Sequence, residues 1–478
     1  MAGNGTLEER THVAGGSAAP IRAPRRSRGP LLMVLAAWLA TLGFSCAEFF
    51  GRGTQDDAWA LKSLKDSASA PPASMCPPGF GDCDDNPNNG CETEFEPWET
   101  VCSKCDPACP KGFTCRESVC RDADPSVKIA AGGTHTCALR RSGAVVCWGD
   151  NKEGQLGDGT TIGRARPVRV RNITDAIDLA AGESHTCVVR ASGAVACWGD
   201  NANRQLGHDL GSESPLPSPV PGIRDAVQIS AAVVHTCALQ SNGKAMCWGS
   251  SESGQLGDGT VDNRSLPPAP VLWPQVQLLQ LSAGASHTCA LNRQGVVACW
   301  GRNQQGQLGD GTIAPHRPTP APVRGLVQAT QVAAGALHTC GVRVKGDVLC
   351  WGANSEGELG AKEPGASSAK PLPVVGLSDV VQVTVGWKHG CARVSGGDVL
   401  CWGNNQAGQL GAGDAPRLVR PTKVAGLGPA IWITAGHDHT CAILEAHGVR
   451  CWGDNTKGQL GDGTRKTKTS PVPVAGLY

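Results

Sequence analysis

The chain has 478 residues, of which 63 are Gly and 33 Pro, so about a fifth of it favours turns over long helices. Lys and Arg total 43 against 42 Asp and Glu, a net charge of +1 that leaves no whole-chain electrostatic footprint for nucleic acid. The 23 cysteines are too many for a reduced cytosolic enzyme, and an oxidised chain with an odd count leaves one of them unpaired. Trp (13) outnumbers Phe (6) and Tyr (1), which points to a recurring motif that fixes Trp at set places.

Residues 1–29 carry five Arg against Glu8 and Glu9, a net of +3, and are followed by the apolar run Leu31 to Ser45. Its 15 residues fall short of the roughly 20 a membrane span needs and suit the apolar core of an export signal. The run ends Leu42-Gly43-Phe44-Ser45-Cys46. That ending resembles a bacterial lipoprotein signal, although Phe44 stands where a small residue is usual and Leu42 one place early. The resemblance implies a signal peptide over 1–45 and lipidation of Cys46 as the mature N-terminus. An ordinary export signal or an uncleaved anchor are the other readings. Residues 46–75, small and polar and ending in Ser, Ala and Pro, read as a flexible tether from membrane to domain.

Residues 76–122 hold eight cysteines in 47 residues and ten acidic against four basic side chains, a net of −6. So short a segment has little room for an apolar core, and disulfides are expected to stand in for one. Asp82, Asp84, Asn86 and Asn88 alternate as in a calcium loop. Pro87 replaces the Gly required at the sixth position and Thr93 the Glu at the twelfth, so a solvated acidic knot is the better reading. Cys102 and Cys105 are expected to be structural rather than redox or zinc-binding.

From about 125 to 478 the chain repeats. A His recurs at His135, His185, His235, His287, His338, His389 and His439, at spacings of 50, 50, 52, 51, 51 and 50. Each opens a His-Thr-Cys or similar triplet, and ten residues after its Cys comes a Cys-Trp-Gly. Then follows Gln-Leu-Gly-Asp-Gly-Thr or a variant, as at Gln155 to Thr160 and Gln459 to Thr464. Seven units of about 50 residues, built of short strands and Gly turns, predict an all-β, seven-bladed β-propeller preceded by a small disulfide-rich module.

The unit Ala-Ala-Gly-x-x-His-Thr-Cys-Ala-Leu, Gly-x-Val-x-Cys-Trp-Gly, Asn-x-x-Gly-Gln-Leu-Gly-Asp-Gly-Thr resembles the regulator-of-chromosome-condensation (RCC1-type) repeat. The resemblance implies a propeller of four-stranded blades. The chain ends on Pro471-Val472-Pro473-Val474-Ala475-Gly476-Leu477, read as the opening strand of an eighth unit, and starts at Val127-Lys128-Ile129-Ala130 without that strand. Joining the two is expected to complete one blade and close the ring.

The cysteine spacing places a disulfide in each blade. The midpoint of Cys137 and Cys147 is Ser142, which leaves the three-residue loop Arg141-Ser142-Gly143 and sets the two Cys opposite each other. The same holds for Cys187 and Cys197, Cys237 and Cys247, Cys289 and Cys299, Cys340 and Cys350, Cys391 and Cys401, and Cys441 and Cys451. In the seventh unit the Gly comes one place later, at Gly448, so that turn is expected to differ. Free core cysteines and metal ligation are the alternatives. Seven blades take 14 cysteines and the acidic module 8; the one left over is Cys46.

The seven His and the seven Trp (Trp148, Trp198, Trp248, Trp300, Trp351, Trp402 and Trp452) recur with the scaffold and read as structural, not as a metal ring. Function is sought where the repeats disagree, at the two residues before each His. Val233, Val234, Leu337 and Trp387 are apolar where a solvated loop would be polar, and the third repeat also lacks the Gly of this turn. With Lys388 and His437 as a rim, they form a candidate protein-binding arc on one face. Drift in unselected loops is the alternative. Two further deviating stretches, His208 to Ser214 and Ala361 to Lys370, enlarge another corner of their blades.

No nucleophile elbow, phosphate loop or His-Glu-x-x-His is present, so neither an enzyme nor a cofactor is expected. The expected protein is an exported, membrane-anchored monomer of the bacterial cell envelope that binds an unidentified protein and no nucleic acid. The resemblance also allows a guanine-nucleotide exchange factor for a small GTPase, and a cell-surface carbohydrate or adhesion module is a third reading.

Overall fold

In a computed structural model, the described residues are four short strands between 80 and 122 and the stretch 124–477, apart from 210, 263–266, 274–275 and 362–363. The expected signal peptide and tether with Cys46, and most of the cysteine-rich stretch, lie outside them. Within that stretch Phe80–Gly81 pairs with Thr93–Glu94, and Phe113–Arg116 with Val119–Asp122.

The rest is seven sheets of four antiparallel strands, each a consecutive meander. Blade one comprises Ser126–Ala131, His135–Arg140, Val145–Gly149 and Arg164–Arg169. The first strand of every blade is innermost and contacts the first strands of its two neighbours, blade seven against blade one included. His-Thr-Cys-Ala-Leu is buried along its whole length because each sheet is covered on both faces by adjacent blades. The apolar cores therefore lie between blades. Leu139, Val145, Leu156 and Ile173 of blade one pack with Leu179, Val188 and Trp198 of blade two, and six equivalent clusters complete the circle.

Each Cys pair is disulfide-bonded between the second and third strands of one blade, with Cα atoms 4.0–4.1 Å apart. The joining turn is the three-residue loop Arg141-Ser142-Gly143, closed by Arg140 N–H donating to Ala144 O, with Gly143 at φ +85°. The seventh turn does not differ, contrary to the sequence reading. Leu444 N–H donates to Gly448 O as elsewhere, and His447 takes the left-handed conformation at φ +70° that Gly fills in the other six. Register across the disulfide thus outweighs the local preference for Gly.

Ring closure also corrects the sequence reading. Lys468–Pro473 is the fourth strand of blade seven, paired with Val449–Gly453, and blade one builds all four of its strands from 126–169. No strand is shared among the described residues; side chains and turn-to-turn backbone bonds close the ring, His437 N–H donating to Gly132 O and Gly463 N–H to Ala165 O. Trp432 Nε1 donates to Ile129 O at 3.1 Å, Ala131 N–H to Thr434 Oγ1 at 3.3 Å, and Trp148 Nε1 to Gln459 O at 2.8 Å. Leu477 is buried and its carbonyl accepts from Val449 N–H, so the C-terminal segment is part of the scaffold.

Candidate functional site

The turn between first and second strands carries, in order, Gly, two variable residues and the repeated His. In blade one these are Gly132, Gly133, Thr134 and His135. A Cβ on Gly132 would lie 2.3 Å from Gly182 O and 2.5 Å from His135 Cε1, so only Gly lets neighbouring turns approach this closely. The first variable residue then donates its N–H to the next turn: Gly133 to Gly182 O, Glu183 to Ala232 O, Ala285 to Gly335 O, Trp387 to His437 O and His437 to Gly132 O. Among the described residues no such bond starts from Val233. Ala232 holds the Gly position in the third repeat, where in the other six a Cβ would lie 2.2–2.5 Å from a carbonyl of the next turn.

The structure splits the six predicted binding residues into two sets. Val233, Trp387 and His437 line the mouth of the central channel with Gly133, Glu183, Ala285 and Ala336. Val234, Leu337 and Lys388 stand behind them, half-buried, and their carbonyls accept from Ser250, Ala353 and Asn404 N–H. Lys388 reaches outward to Glu356, 3.9 Å away. Val233 and Trp387 are separated by Ala285 and Ala336, so the apolar arc has small residues at its centre.

Polarity concentrates on the other side of the mouth. The Trp387 and His437 rings lie 3.8 Å apart between centroids, and His437 Nδ1 is 2.8 Å from Asp438 Oδ2. Asp438 Oδ1 also accepts from Gln409 Nε2 at 3.0 Å. Glu183 of blade two lies over Gly133 of blade one, where any side chain would strike its carboxyl group. Burial pushes His437 down, but the hydrogen bond to Asp438 and the carboxylates of Glu183, Asp438 and Asp454 outweigh it and hold its pKa above the ordinary value. Burial raises the Glu183 carboxyl. The mouth therefore offers an indole, an imidazole and the Glu183 carboxyl group over the turns of blades six, seven, one and two, four of the seven, with the Asp438 carboxylate behind His437. Among the described residues no cluster of three or more His, Cys, Asp or Glu could hold a metal ion.

The seven repeated His lie deeper and serve the scaffold. In six interfaces Nε2 meets the Thr hydroxyl of the next blade at 2.8–3.0 Å, as His135 meets Thr186 and His439 meets Thr136. Each Thr gives its one proton to a Gln carbonyl of the preceding blade at 2.8–2.9 Å, so His is the donor, protonated on Nε2. The repeated Trp donates Nε1 to the same carbonyl, as Trp198 does to Gln155 O at 2.9 Å.

Two features went unread in the sequence. The interface of blades five and six lacks the latch: His338 faces Gly390, and Glu358 replaces Gln. The joint departure of these two positions from the repeat is the signal that could have located this seam. Second, an inner belt ties the first strands together. Gln228, Gln280, Gln331 and Gln382 each bond both N–H and C=O of one residue in the next blade, as Gln280 does with Val332 at 3.0 and 3.1 Å. At the same strand position blades one and two carry Lys128 and Asp178, which form an ion pair. Removing one Thr tests the latch. Thr186→Val is expected to lower unfolding stability by about 2 kcal/mol, because it strands His135 Nε2–H without an acceptor; denaturant titration reads it.

Sequence profiles of the Regulator of chromosome condensation (RCC1) repeat match this chain in two phases. One covers 142–189, 192–239, 242–291, 294–342, 345–393 and 396–443. The other covers 127–155, 176–205, 226–255, 279–307, 329–358, 380–409 and 433–459. Among similar proteins, the human probable E3 ubiquitin-protein ligase HERC6 is 36% identical over 148 residues, which are 30% of this chain and 14% of that protein. The ultraviolet-B receptor UVR8 of Arabidopsis thaliana is 32% identical over 143 residues, 29% of this chain and 32% of that protein. The chain thus spans a third or less of these relatives. Two crystal structures share the fold at 23% identity and TM-score 0.64: Kap60 bound to yeast RCC1 (Prp20), covering 74% of this chain and 84% of that one, and human WBSCR16, covering 70% and 94%.

Proposed function

Since this chain belongs to the RCC1 repeat family, whose repeat profile matches more than half of its residues, we propose that it is a non-enzymatic platform that binds a protein partner through the channel mouth. One observation carries the reading: seven equivalent turns, fixed in backbone by the scaffold, hold seven different residue pairs, and the largest, Trp387, is stacked and half-buried there rather than splayed into solvent. Aromatic anchors set in polar surroundings are what protein interfaces use most.

The disulfides support reading the compartment as one outside the cytosol. Seven fully buried pairs, one per blade, suit an oxidising environment, and the N-terminal basic stretch and apolar run supply the export route. We read Cys46 as the lipidated residue that holds the protein at the envelope. A yeast relative, Prp20p, is described with binding properties to Gsp1p and histones. Exchange on a cytosolic GTPase conflicts with oxidised blades, so the partner is sought outside the cytosol. The ligase activity in the name of HERC6 is not carried over, because only 14% of that protein aligns.

The test is affinity capture from native envelope extract with the unaltered chain and with Trp387→Ala combined with Val233→Asp, both at the channel mouth. Both positions lie outside the blade cores, so the variant is expected to fold. A protein retained by the unaltered chain and lost from the variant is the expected result; identical captured sets would remove this face from consideration.

A further inference from the structure

The opposite mouth of the channel carries a feature of its own. In all seven blades the second residue of the innermost strand sits at a register shift in the pairing with the second strand. In six of them it is a large aliphatic side chain left open to solvent: Val127 (44%), Ile177 (53%), Val227 (48%), Leu279 (52%), Val381 (49%) and Ile431 (40%). Thr330 takes the seventh place. These positions lie four residues before the one that leads into the variable turn, Ala in six blades and Val385 in blade six, about 13 Å back along the strand. They form a ring around the axis at the end away from the candidate binding face. Exposed aliphatic side chains repeated on one ring are what a covering partner would bury.

The chain itself delivers a partner to this face. Pro125 O accepts from Arg141 N–H at 2.9 Å, and the Asp124 carboxylate accepts from Ser142 N–H and Oγ, both at 2.7 Å. The turn of blade one therefore pins the chain as far back as Asp124. Only Ala123 separates that point from Asp122, the last residue of the hairpin Phe113–Arg116 and Val119–Asp122. Two residues of chain span at most about 7 Å, so the cysteine-rich stretch must leave the propeller beside the ring.

Its composition fits the face. Residues 76–122 carry a net charge of −6 and four aromatics, Phe80, Phe95, Trp98 and Phe113, in a segment too short to enclose them in a core of its own. The turns around the ring present Arg141, Lys244 and Arg293, all exposed and with no carboxylate within salt-bridge distance among the described residues. We propose that the acidic cysteine-rich segment 76–122 docks intramolecularly on the aliphatic ring and its basic surround. The channel would then be engaged by the chain's own module at one mouth and open to a partner at the other. This stands apart from the reading of the Trp387 face.

The experiment uses the full chain with a photo-crosslinking amino acid at Leu279, in blade four, remote in the ring from the attachment point in blade one. Irradiation followed by peptide mapping is expected to join 279 to peptides within 76–122 of the same chain. Adding Ile177→Asp and Val381→Asp, both at exposed sites, is expected to lower that yield roughly tenfold while the near-ultraviolet Trp spectrum stays unchanged. Cross-links to a second copy, to a separate protein or to nothing, or a yield indifferent to the two Asp substitutions, would overturn the proposal.

Discussion

Acidification from pH 7 to pH 4 is expected to unfold the propeller. All seven scaffold His are fully buried, and burial lowers His135, His185, His235, His287 and His338 to about 3 and His389 and His439 to about 4, from 6.5. Geometry agrees with the direction. Nε2–H already points at Thr in six interfaces, and Nδ1, where a second proton would go, has no hydrogen-bond partner in any of the seven. A base whose folded pKa lies below its unfolded value stabilises the fold above pH 6.5. It loses that contribution as pH falls toward the folded value. At pH 5 each imidazole contributes about 2 kcal/mol less than at neutral pH, so seven together withdraw about 14 kcal/mol. That equals the whole stability of an ordinary domain. His437 runs the other way, its raised pKa favouring the folded state at low pH, but it is one group against seven. Trp fluorescence followed against pH should show a transition between about pH 6 and pH 4. Denaturant titrations giving the same stability at pH 7 and pH 5 would contradict the lowered His pKa values.

Gly182→Ala is expected to be among the most damaging single substitutions outside the cores. The new methyl would lie 2.2 Å from Ala232 O and 2.4 Å from His185 Cε1. Neither can retreat freely: the carbonyl accepts from Glu183 N–H, and the ring is held by Thr236 at 2.8 Å. Relief requires the turn to move, with loss of the bond to the next blade and strain on the latch, for a cost of about 3 kcal/mol. The third repeat shows what that relief looks like, since Ala232 is present and the turn-to-turn bond from Val233 is absent. Ala232→Gly is therefore expected to change stability by less than about 1 kcal/mol. Paired thermal melts of the two variants measure the contrast.

Much of this architecture was legible because the repeat writes each structural demand seven times. Period, blade number, Cys pairing and the scaffold role of His and Trp all follow from residues that recur at fixed offsets. What was illegible lies where one residue's meaning depends on another blade. That Lys468–Pro473 completes its own blade could not be read from strand pattern alone, because an edge strand and an opening strand look the same before their partner is known. His447 looked like a changed turn, yet the disulfide register between Cys441 and Cys451 holds the backbone and places the left-handed conformation on His. In the candidate site, variability singled out a turn but not which residue of each pair faces the axis. That division follows from the N–H of the first residue pointing along the ring and the carbonyl of the second bonding behind it. Glu183 was missed because its importance comes from Gly133, one blade away, leaving room for its carboxyl group.

Seven intrablade disulfides require the ring to be oxidised in its native cells. Protein taken from its native cells, denatured without reductant, alkylated and mapped by mass spectrometry tests that most directly. The account predicts no adduct on any of the 14 propeller cysteines before reduction and adducts on all of them after it. Full alkylation without reductant would contradict it.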